Sequence, residues 1–412
     1  MTAGTPAVAL ARGDFAVLLA AVFGVSLGYG VVLPVLPFFL ARVVGANADV
    51  AWHTGMLTAA YTFAVFVGAP LWGRFADRFG RRCVILIGLA GFSLALVVFG
   101  FAPSLWLGYT ARMAAGAFAG AVLPVTFAYV GDTSVATSRA RRFAWMSAAS
   151  VLGFLAGPAL GGWLAGLSTM RVPATALPFL VAAGIGALIG LAVWRWLSEP
   201  LRPRAAPSDV TPVRSTGLLL MLSLLVMFGL GGFEVGITLH GQQRLGLTPG
   251  QLGLMFFECS LVMAMVEVLL FAPLAHHLDN RATLVAAFLA MALGLGWLAT
   301  ATSLEALWWR VALIAASSGL LIPLLTYQVS LAAGTAQGAR LGTQTAASNL
   351  GQALGSAAAG WLFAAVNETS FWVTAVLLLG GAVLALGTSR VAPILPEARD
   401  AARSRSPARK SG

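Results

Sequence analysis

Twelve apolar stretches, each long enough to cross a lipid bilayer, limit the possible folds of this chain more than any other feature. About 20 apolar residues span the hydrocarbon core as a helix, and a bilayer offers no water to unpaired backbone groups, so such segments must be helical. With 59% hydrophobic and 9% charged residues, the chain is too apolar for a water-soluble surface. The predicted spans are 15–40, 52–72, 83–103, 105–131, 143–167, 175–197, 216–240, 251–275, 282–302, 304–333, 341–366 and 370–390.

A sequence repeat relates the two halves of the chain. The pattern A-S-x-L-G-x-x-x-G, followed by G-W-L, begins at Ala149 and again at Ala347, an offset of 347 − 149 = 198 positions. The same offset joins Arg112 to Arg310. One half therefore resembles a copy of the other. Duplicated membrane halves, related by an axis along the membrane normal, are typical of secondary transporters.

The spans fall into two groups of six, in residues 1–198 and 216–390. Residues 199–215 are rich in Pro and Arg and are interpreted as a cytoplasmic linker. The polar tail 391–412 is predicted to be disordered. The sequence thus predicts an all-α membrane protein with twelve transmembrane helices in two pseudo-symmetric six-helix bundles.

Arginine determines the predicted orientation. Of the 25 Lys and Arg residues, all but Arg42, Arg112, Arg171, Arg244 and Arg310 fall on the cytoplasmic side if both termini are cytoplasmic. This is the positive-inside distribution, and we expect a multi-pass protein of the bacterial inner (plasma) membrane, embedded in lipid as a monomer. The net charge of +11 does not indicate nucleic-acid binding, because the arginines are divided among short loops.

Signatures of enzymes are absent from the sequence. It contains no HExxH, no Walker loop and no GxSxG in a strand–turn–helix context, and Cys83 and Cys259 have no metal-ligand spacing. We therefore expect no enzymatic activity, no cofactor and no metal. Without an ATP site, any transport must be driven by a gradient.

Three motifs follow one another in the first half. The loop after the second span contains five charges and reads Gly73-Arg-Phe-Ala-Asp77-Arg78-Phe-Gly80-Arg81-Arg82. The fourth span carries Arg112-x-x-x-Gly116. The fifth span carries Gly153-x-x-x-Gly157-Pro158-x-x-Gly161-Gly162.

These motifs resemble the major facilitator superfamily, and within it the twelve-helix drug:proton antiporters. The tetracycline exporters are similar around the charged loop and at Asp132-Thr133-Ser134. The resemblance covers nearly the whole chain. It implies a secondary active transporter that exports small amphipathic compounds or drugs, in exchange for protons, by alternating access.

The charged loop is predicted to gate the cytoplasmic side, the role that the resemblance also implies. Asp77 would lie near the amino-terminal end of the eleventh span, around residues 341–344, where the helix dipole favours an anion. Arg78 or Arg81 would then reach Asp132 at the end of the fourth span. A role of these charges as topology signals alone is the alternative.

The glycine motifs predict which spans pack together. Glycines four apart let another helix approach closely. We expect Gly153, Gly157 and Gly161 to meet Ser260 and Ala264 of the eighth span. By the same argument, the second span would meet the eleventh through Ala60, Ala64 and Gly68 against Gly351, Gly355 and Ala359. Pro158 would add a kink point.

Ionisable residues inside the spans are the candidate residues of a proton and substrate cavity, because a charge in hydrocarbon is costly unless paired or hydrated. They are Arg112, Glu234, Glu258, Glu267 and Arg310. Glu258 and Glu267 are nine positions apart, so at most one faces the cavity squarely.

The acids that the tetracycline exporters carry in their first and third spans have no match here. Val25 and residues 94–96 stand at about those places. Proton coupling is therefore assigned to the second half, with Glu258 as the first candidate and Glu234 as the second.

Two alternatives remain at this stage. One is an exporter of sugars or metabolites with the same fold, although polar cavity candidates such as Gln328 and Asn349 are few. The other is a lipid flippase or a sensor that does not transport, which the complete charged loop disfavours.

Replacing Asp77 by Asn is predicted to abolish transport while leaving expression near normal. The change removes an attraction to the dipole of the eleventh span worth about 0.5–2 kcal/mol, enough to shift a balanced gate several-fold. Export rates and membrane levels of the variant check this. Wild-type export would show the charges to be topology signals only.

Overall fold

In a computed structural model, the described part of the chain comprises residues 12–45, 49–134, 136–167, 175–199, 214–271, 280–332, 337–367 and 369–388. Within these ranges it contains thirteen α-helices and no strand. They are α1 (Arg12–Val32), α2 (Leu36–Val44), α3 (Val50–Phe79), α4 (Arg81–Gly100), α5 (Leu105–Thr133), α6 (Ala136–Ala165), α7 (Leu177–Trp196), α8 (Arg214–Gln243), α9 (Pro249–Met265), α10 (Asn280–Leu298), α11 (Leu304–Ala332), α12 (Gln337–Val366) and α13 (Thr369–Ala385). A π-helical turn, Val266–Phe271, continues α9.

The predicted twelve-helix membrane fold is confirmed. Ten of the described helices are long and apolar enough to cross a membrane. α13 is apolar but has only 17 residues. α12 is 30 residues long, and its Gln, Ser, Thr and Gly residues lower its hydropathy. α1 and α2 together form the first span. Most of the linker and the whole tail 391–412 lie outside the described residues.

The predicted bounds of the first span imply one continuous helix, but the structure divides this span into α1 and α2. It is interrupted after Val32, where the amides of Leu33 and Val35 donate to carbonyls three residues back, at 3.3 and 3.1 Å. Pro34 and Pro37 explain the break, because proline lacks the amide hydrogen and clashes with the preceding turn.

The charged segment after the second span is also not the loop that the sequence predicts. α3 continues to Phe79, and only Gly80 separates it from α4. Gly80 has a φ of +106°, a conformation that residues with a Cβ rarely adopt. A Cβ there would also lie 2.7 Å from a carboxylate oxygen of Glu199.

The two halves meet through the helix pairs that the sequence predicts, α3 with α12 and α6 with α9. Both contacts depend on glycine. A Cβ on Gly360 would lie 2.7 Å from Cα of Gly55, and a Cβ on Gly162 would lie 3.1 Å from Cα of Gly253. The 198-residue offset relates these pairs (55 + 198 = 253 and 162 + 198 = 360), so the two contacts are pseudo-symmetric copies.

The predicted partners of the glycine stripes are wrong. Cβ atoms on Gly153, Gly157 and Gly161 would strike the backbone of α1, not Ser260 and Ala264 of α9. Gly351 and Gly355 pack in the same way against α8. The second span also differs from the prediction, because Gly68 faces Ala117 of α5 and Ala64 faces Gly116. These glycine stripes therefore pack helices together within each half. The contacts between the halves are made by Gly162 and Gly360.

Glycines of α3 and α12 are in close contact near one end of the bundle and have open space beside them at the other. We call the end that carries Arg74, Arg78, Arg81 and Arg82 the arginine-rich end. There, a Cβ on Gly73 of α3 or on Gly342 of α12 would meet no atom within 4 Å. The same two helices are in backbone contact at Gly55 and Gly360, near the opposite end. The fold is thus closed at the opposite end.

Gly360→Ala is expected to open this closed end, because the added methyl overlaps α3 and overpacking costs about 1–3 kcal/mol. The readout is the rate at which a membrane-impermeant maleimide added at that end modifies Cys259, a buried thiol of α9, in a Cys83→Ser background. We expect faster labelling in Gly360→Ala than in the parent.

Gly380→Ala is the matched control, since a Cβ at this glycine of α13 would meet nothing within 4 Å. Equal labelling of Gly360→Ala and the control would contradict the assignment of Gly360 to the closed contact.

Candidate functional site

A cavity of about 380 Å³ lies between the two halves. This is within the range of pockets that hold small organic molecules. Its walls are mainly aromatic and aliphatic, with methionines that can adapt to different shapes. The first half contributes Val25, Ser26, Tyr29, Tyr61, Thr62, Val65, Leu123, Ser150, Val151 and Phe154. The second half contributes Met227, Leu230, Phe233, Glu234, Phe256, Cys259, Ser260, Met263, Ala264, Glu267, Ser318, Gly319, Ile322, Pro323, Asn349 and Gln352.

A buried carboxylate connects the halves at this cavity. The hydroxyl of Tyr29 on α1 donates to Oε2 of Glu234 on α8 at 2.8 Å. The amide nitrogen of Gln352 on α12 lies 3.2 and 3.1 Å from the two oxygens of Glu234, and 2.9 Å from the hydroxyl of Tyr29. Glu234, Gln352 and Tyr29 are 6%, 8% and 9% exposed. We call this three-residue arrangement the bridge.

Glycine lets the helices of the bridge approach one another. A Cβ on Gly231 would lie 2.5 Å from the carbonyl oxygen of Gln352 and 2.9 Å from Oγ of Ser356. The absence of a side chain at Gly231 therefore brings α12 against α8 one turn from Glu234. In the first half, Gly30 beside Tyr29 lies against Gly157 and Pro158 of α6. The bridge is thus positioned by backbone contacts on both sides.

Arg112 lies behind the bridge in an aromatic enclosure. It is 1% exposed, and its Cζ atom lies 4.4 Å from the ring centroid of Tyr61, 5.8 Å from that of Tyr29 and 5.9 Å from that of Phe99. Within the described residues its guanidinium nitrogens have no hydrogen-bond partner. A cation–π contact is strongest where water is excluded, as it is at this buried arginine. Tyr29 contacts both Arg112 and Glu234 and so lies between the two charged groups.

The remaining predicted membrane charges separate into one that reaches the cavity and two that do not. Glu267, in the π-helical turn, is part of the lining. Glu258 and Arg310 are not among the described lining residues. Glu258 is half-buried, with one carboxylate oxygen unpartnered in the described structure. Arg310 lies over the ring of Trp297, 5.1 Å from its centroid.

The charged motif forms a cluster at the arginine-rich end. Nε of Arg81 lies 2.5 Å from Oδ2 of Asp132, as the sequence predicts, and its Nη2 lies 3.4 Å from Oδ1 of Asp77. The Asp77 side chain is 69% exposed. In this structure Asp77 is paired with Arg81 and not with the amino-terminal end of α12, around residues 341–344. The interaction of Asp77 with α12 stays a prediction.

Glu199, the first residue of the linker, is hydrogen-bonded to this cluster. Its two carboxylate oxygens accept the backbone amides of Arg81 and Arg82 at 2.7 and 3.0 Å, which are unpaired at the start of α4. Arg82 also donates to the carbonyl of Trp194 at 2.5 Å. The linker is therefore attached at its first residue to the charged motif.

Sequence reasoning missed Tyr29, Tyr61, Gln352 and Glu199. For two of these residues, the neighbouring sequence indicates a polar side chain at a close helix contact. Tyr29 stands between Gly28 and Gly30 in an apolar span, and Gln352 stands inside the stripe of Gly351 and Gly355. In lipid, a polar residue within such a stripe must find a partner on another helix. Tyr61 and Glu199 have no comparable signal.

Comparisons with known proteins agree with this architecture. The sequence model of the Major Facilitator Superfamily matches residues 18–334 and 219–410. The chain is 27% identical to Multidrug resistance protein 2 of Bacillus subtilis (strain 168), over 85% of the chain and 88% of that protein. It is 30% identical to the class E tetracycline resistance protein of Escherichia coli, over 86% and 89%.

A solved structure has the same fold. It is the inward-facing, occupied form of a bacterial homologue of the human lysosomal transporter Spinster, with a TM-score of 0.76 and 16% identity over 93% of this chain and 98% of that one. The family match, the repeated halves and the cavity between them lead to one conclusion: the chain belongs to the Major Facilitator Superfamily.

Proposed function

We propose that this protein exports small amphipathic compounds in exchange for protons, by alternating access, and that Glu234 carries the proton. The observation that supports this is the bridge itself. A carboxylate that lines the substrate cavity is hydrogen-bonded across the halves to Tyr29. The similarity to multidrug and tetracycline resistance proteins supports the substrate class.

The orientation follows from the arginines. Under the positive-inside rule the arginine-rich end faces the cytoplasm, and we infer that both termini are cytoplasmic. The contacts of Gly55 with Gly360 and of Gly162 with Gly253 then close the outer side. This conformation would receive substrate from the cytoplasm.

Exchange requires that the empty transporter does not switch between conformations, whereas the proton-loaded and substrate-loaded forms do. The ionised bridge satisfies this condition. Hydrogen bonds to a charged group stabilise by about 1.5–3 kcal/mol, so an unprotonated, empty Glu234 holds the halves together through Tyr29. Protonation weakens these bonds. A substrate in the cavity would displace Tyr29 or Gln352 from the carboxylate with the same effect.

Glu234 replaces Glu258 as the first candidate in this proposal. Both are on the second half, but only Glu234 lines the described cavity and contacts the first half. Arg112 lies on the other side of Tyr29. Its positive charge would favour the ionised form of Glu234 and so assist proton release.

An exporter of sugars is disfavoured by the lining. Its side-chain amides are Asn349 and Gln352, and Gln352 is already bonded in the bridge. A sugar requires many hydrogen-bond partners, because each hydroxyl buried without one is costly.

Replacing Glu234 by Gln is expected to abolish uphill export driven by a proton gradient and to spare exchange of labelled substrate at equal concentrations. Gln retains the shape of Glu but cannot ionise. Uphill export and exchange are measured separately in proteoliposomes. Glu258→Gln is the control and should retain both activities. Uphill export by Glu234→Gln would exclude Glu234 as the proton carrier.

Tyr29→Phe is expected to uncouple transport without stopping it. The ring stays in contact with Tyr61 and Phe154, at centroid distances of 5.0 and 5.9 Å, whereas the hydrogen bond to Glu234 is lost. The empty form can then switch, so the variant should let substrate run downhill without counter-movement of protons. Simultaneous measurement of substrate and proton flux gives their ratio. A wild-type ratio in Tyr29→Phe would show that the bridge does not enforce coupling.

A further inference from the structure

We propose that Glu267 is the counter-charge for a positively charged group on the exported compound, and thereby determines specificity separately from the proton-carrying Glu234. This inference rests on the proposed export function. It concerns the second carboxylate of the cavity, which takes no part in the bridge.

The lining has charge of one sign only. Among its described residues, Glu234 and Glu267 are acidic and none is Lys, Arg or His. The remaining polar groups are neutral hydroxyl, thiol and amide groups. An apolar cavity with few fixed polar groups uses those groups to orient its ligand. In this cavity the charged groups are carboxylates, which complement a cationic ligand.

Glu267 is available for a ligand, whereas Glu234 is already bonded. Glu234 interacts with Tyr29 and Gln352. Glu267 has no hydrogen bond or ion pair with the described part of the chain, and its side chain is half-buried. A carboxylate at the edge of an apolar cavity stays hydrated until a cation binds, so the interaction has a smaller desolvation cost than a fully buried pair.

The two carboxylates lie at different depths. Glu234 is nine residues from the outer end of α8, and Glu267 is eighteen residues from the outer end of α9. At 1.5 Å per residue, they differ by about 13 Å along the membrane normal. Glu267 is thus nearer to the arginine-rich end, from which this conformation would load. A compound with an aromatic body and a cationic group can contact Glu267 before it disturbs the bridge.

The backbone at Glu267 is unusual as well. Residues Val266–Phe271 form a π-helical turn, a rare conformation that occurs frequently at functional sites. The π-helical turn begins where α11 packs closely against α9. A Cβ on Gly319 of α11 would lie 2.8 Å from the carbonyl oxygen of Met263 and 3.2 Å from Cβ of Val266. Glu267 still shares one helical face with Ser260, Met263 and Ala264, all of which line the cavity.

The test compares two probes of similar size that differ in charge, tetraphenylphosphonium and triphenylphosphine oxide, binding to the purified full-length protein in nanodiscs. Wild type should prefer the cation. Glu267→Gln should weaken binding of tetraphenylphosphonium about tenfold or more and leave binding of the neutral probe unchanged. Glu267→Asp should retain part of the preference. Glu258→Gln, on the same helix but off the lining, should behave as wild type.

Equal loss of both probes in Glu267→Gln would overturn the proposal, as would an unchanged preference for the cation. Proton-driven uphill export by the same variants is measured in parallel. If export of the wild type does not depend on the proton gradient, the proposed function fails. If it does, and the charge preference survives Glu267→Gln, only the role of Glu267 fails.

Discussion

The close approach of helix backbones at glycine is the constraint on which the rest of this structure depends. Without a hydrophobic driving force between helices in lipid, packing contacts and hydrogen bonds hold them together. Gly231 brings α12 against α8, and Gly157 brings α6 against Gly30 of α1. Gln352, Glu234 and Tyr29 reach one another only because these contacts are so short. The polar bridge therefore depends on the glycines at which the helix backbones come into contact.

The bridge and Arg112 form one electrostatic unit, although the arginine has no direct polar contact with the carboxylate. Tyr29 faces both, with its ring toward the guanidinium and its hydroxyl on Glu234. In a region of low effective dielectric, opposite charges interact over several ångströms. A buried arginine with no hydrogen-bond partner among the described residues is costly, and its attraction to the charge of Glu234 would offset part of that cost.

Span length, arginine distribution and the 198-residue repeat predicted the fold, because each can be read from residue types along the chain without knowing which residues are in contact. The sequence also predicted the pairing of α3 with α12 and of α6 with α9. It predicted that Arg78 or Arg81 would contact Asp132, and the structure shows the contact with Arg81. The sequence did not predict which glycines cross between the halves. Gly161 and Gly162 are adjacent in sequence but point to α1 and α9 respectively, and a shift of one residue turns a helix face by about 100°. The same limit explains why Glu258 ranked above Glu234, since depth in a helix is readable from sequence and azimuth is not.

The arrangement of contacts indicates what must change during a transport cycle. In this conformation the halves touch backbone to backbone at Gly55 with Gly360 and at Gly162 with Gly253. The contacts of Arg81 with Asp77, Asp132 and Glu199, by contrast, involve no residue of the second half. Opening the end that these contacts close must break both pseudo-symmetric glycine contacts, because each lies between the two halves whereas each glycine stripe packs helices within one half. Closing the arginine-rich end would then bring α3 and α12 together near Gly73 and Gly342, where the structure leaves space. Asp77, already at the exposed end of α3, is the residue that such a movement would carry to the amino-terminal end of α12.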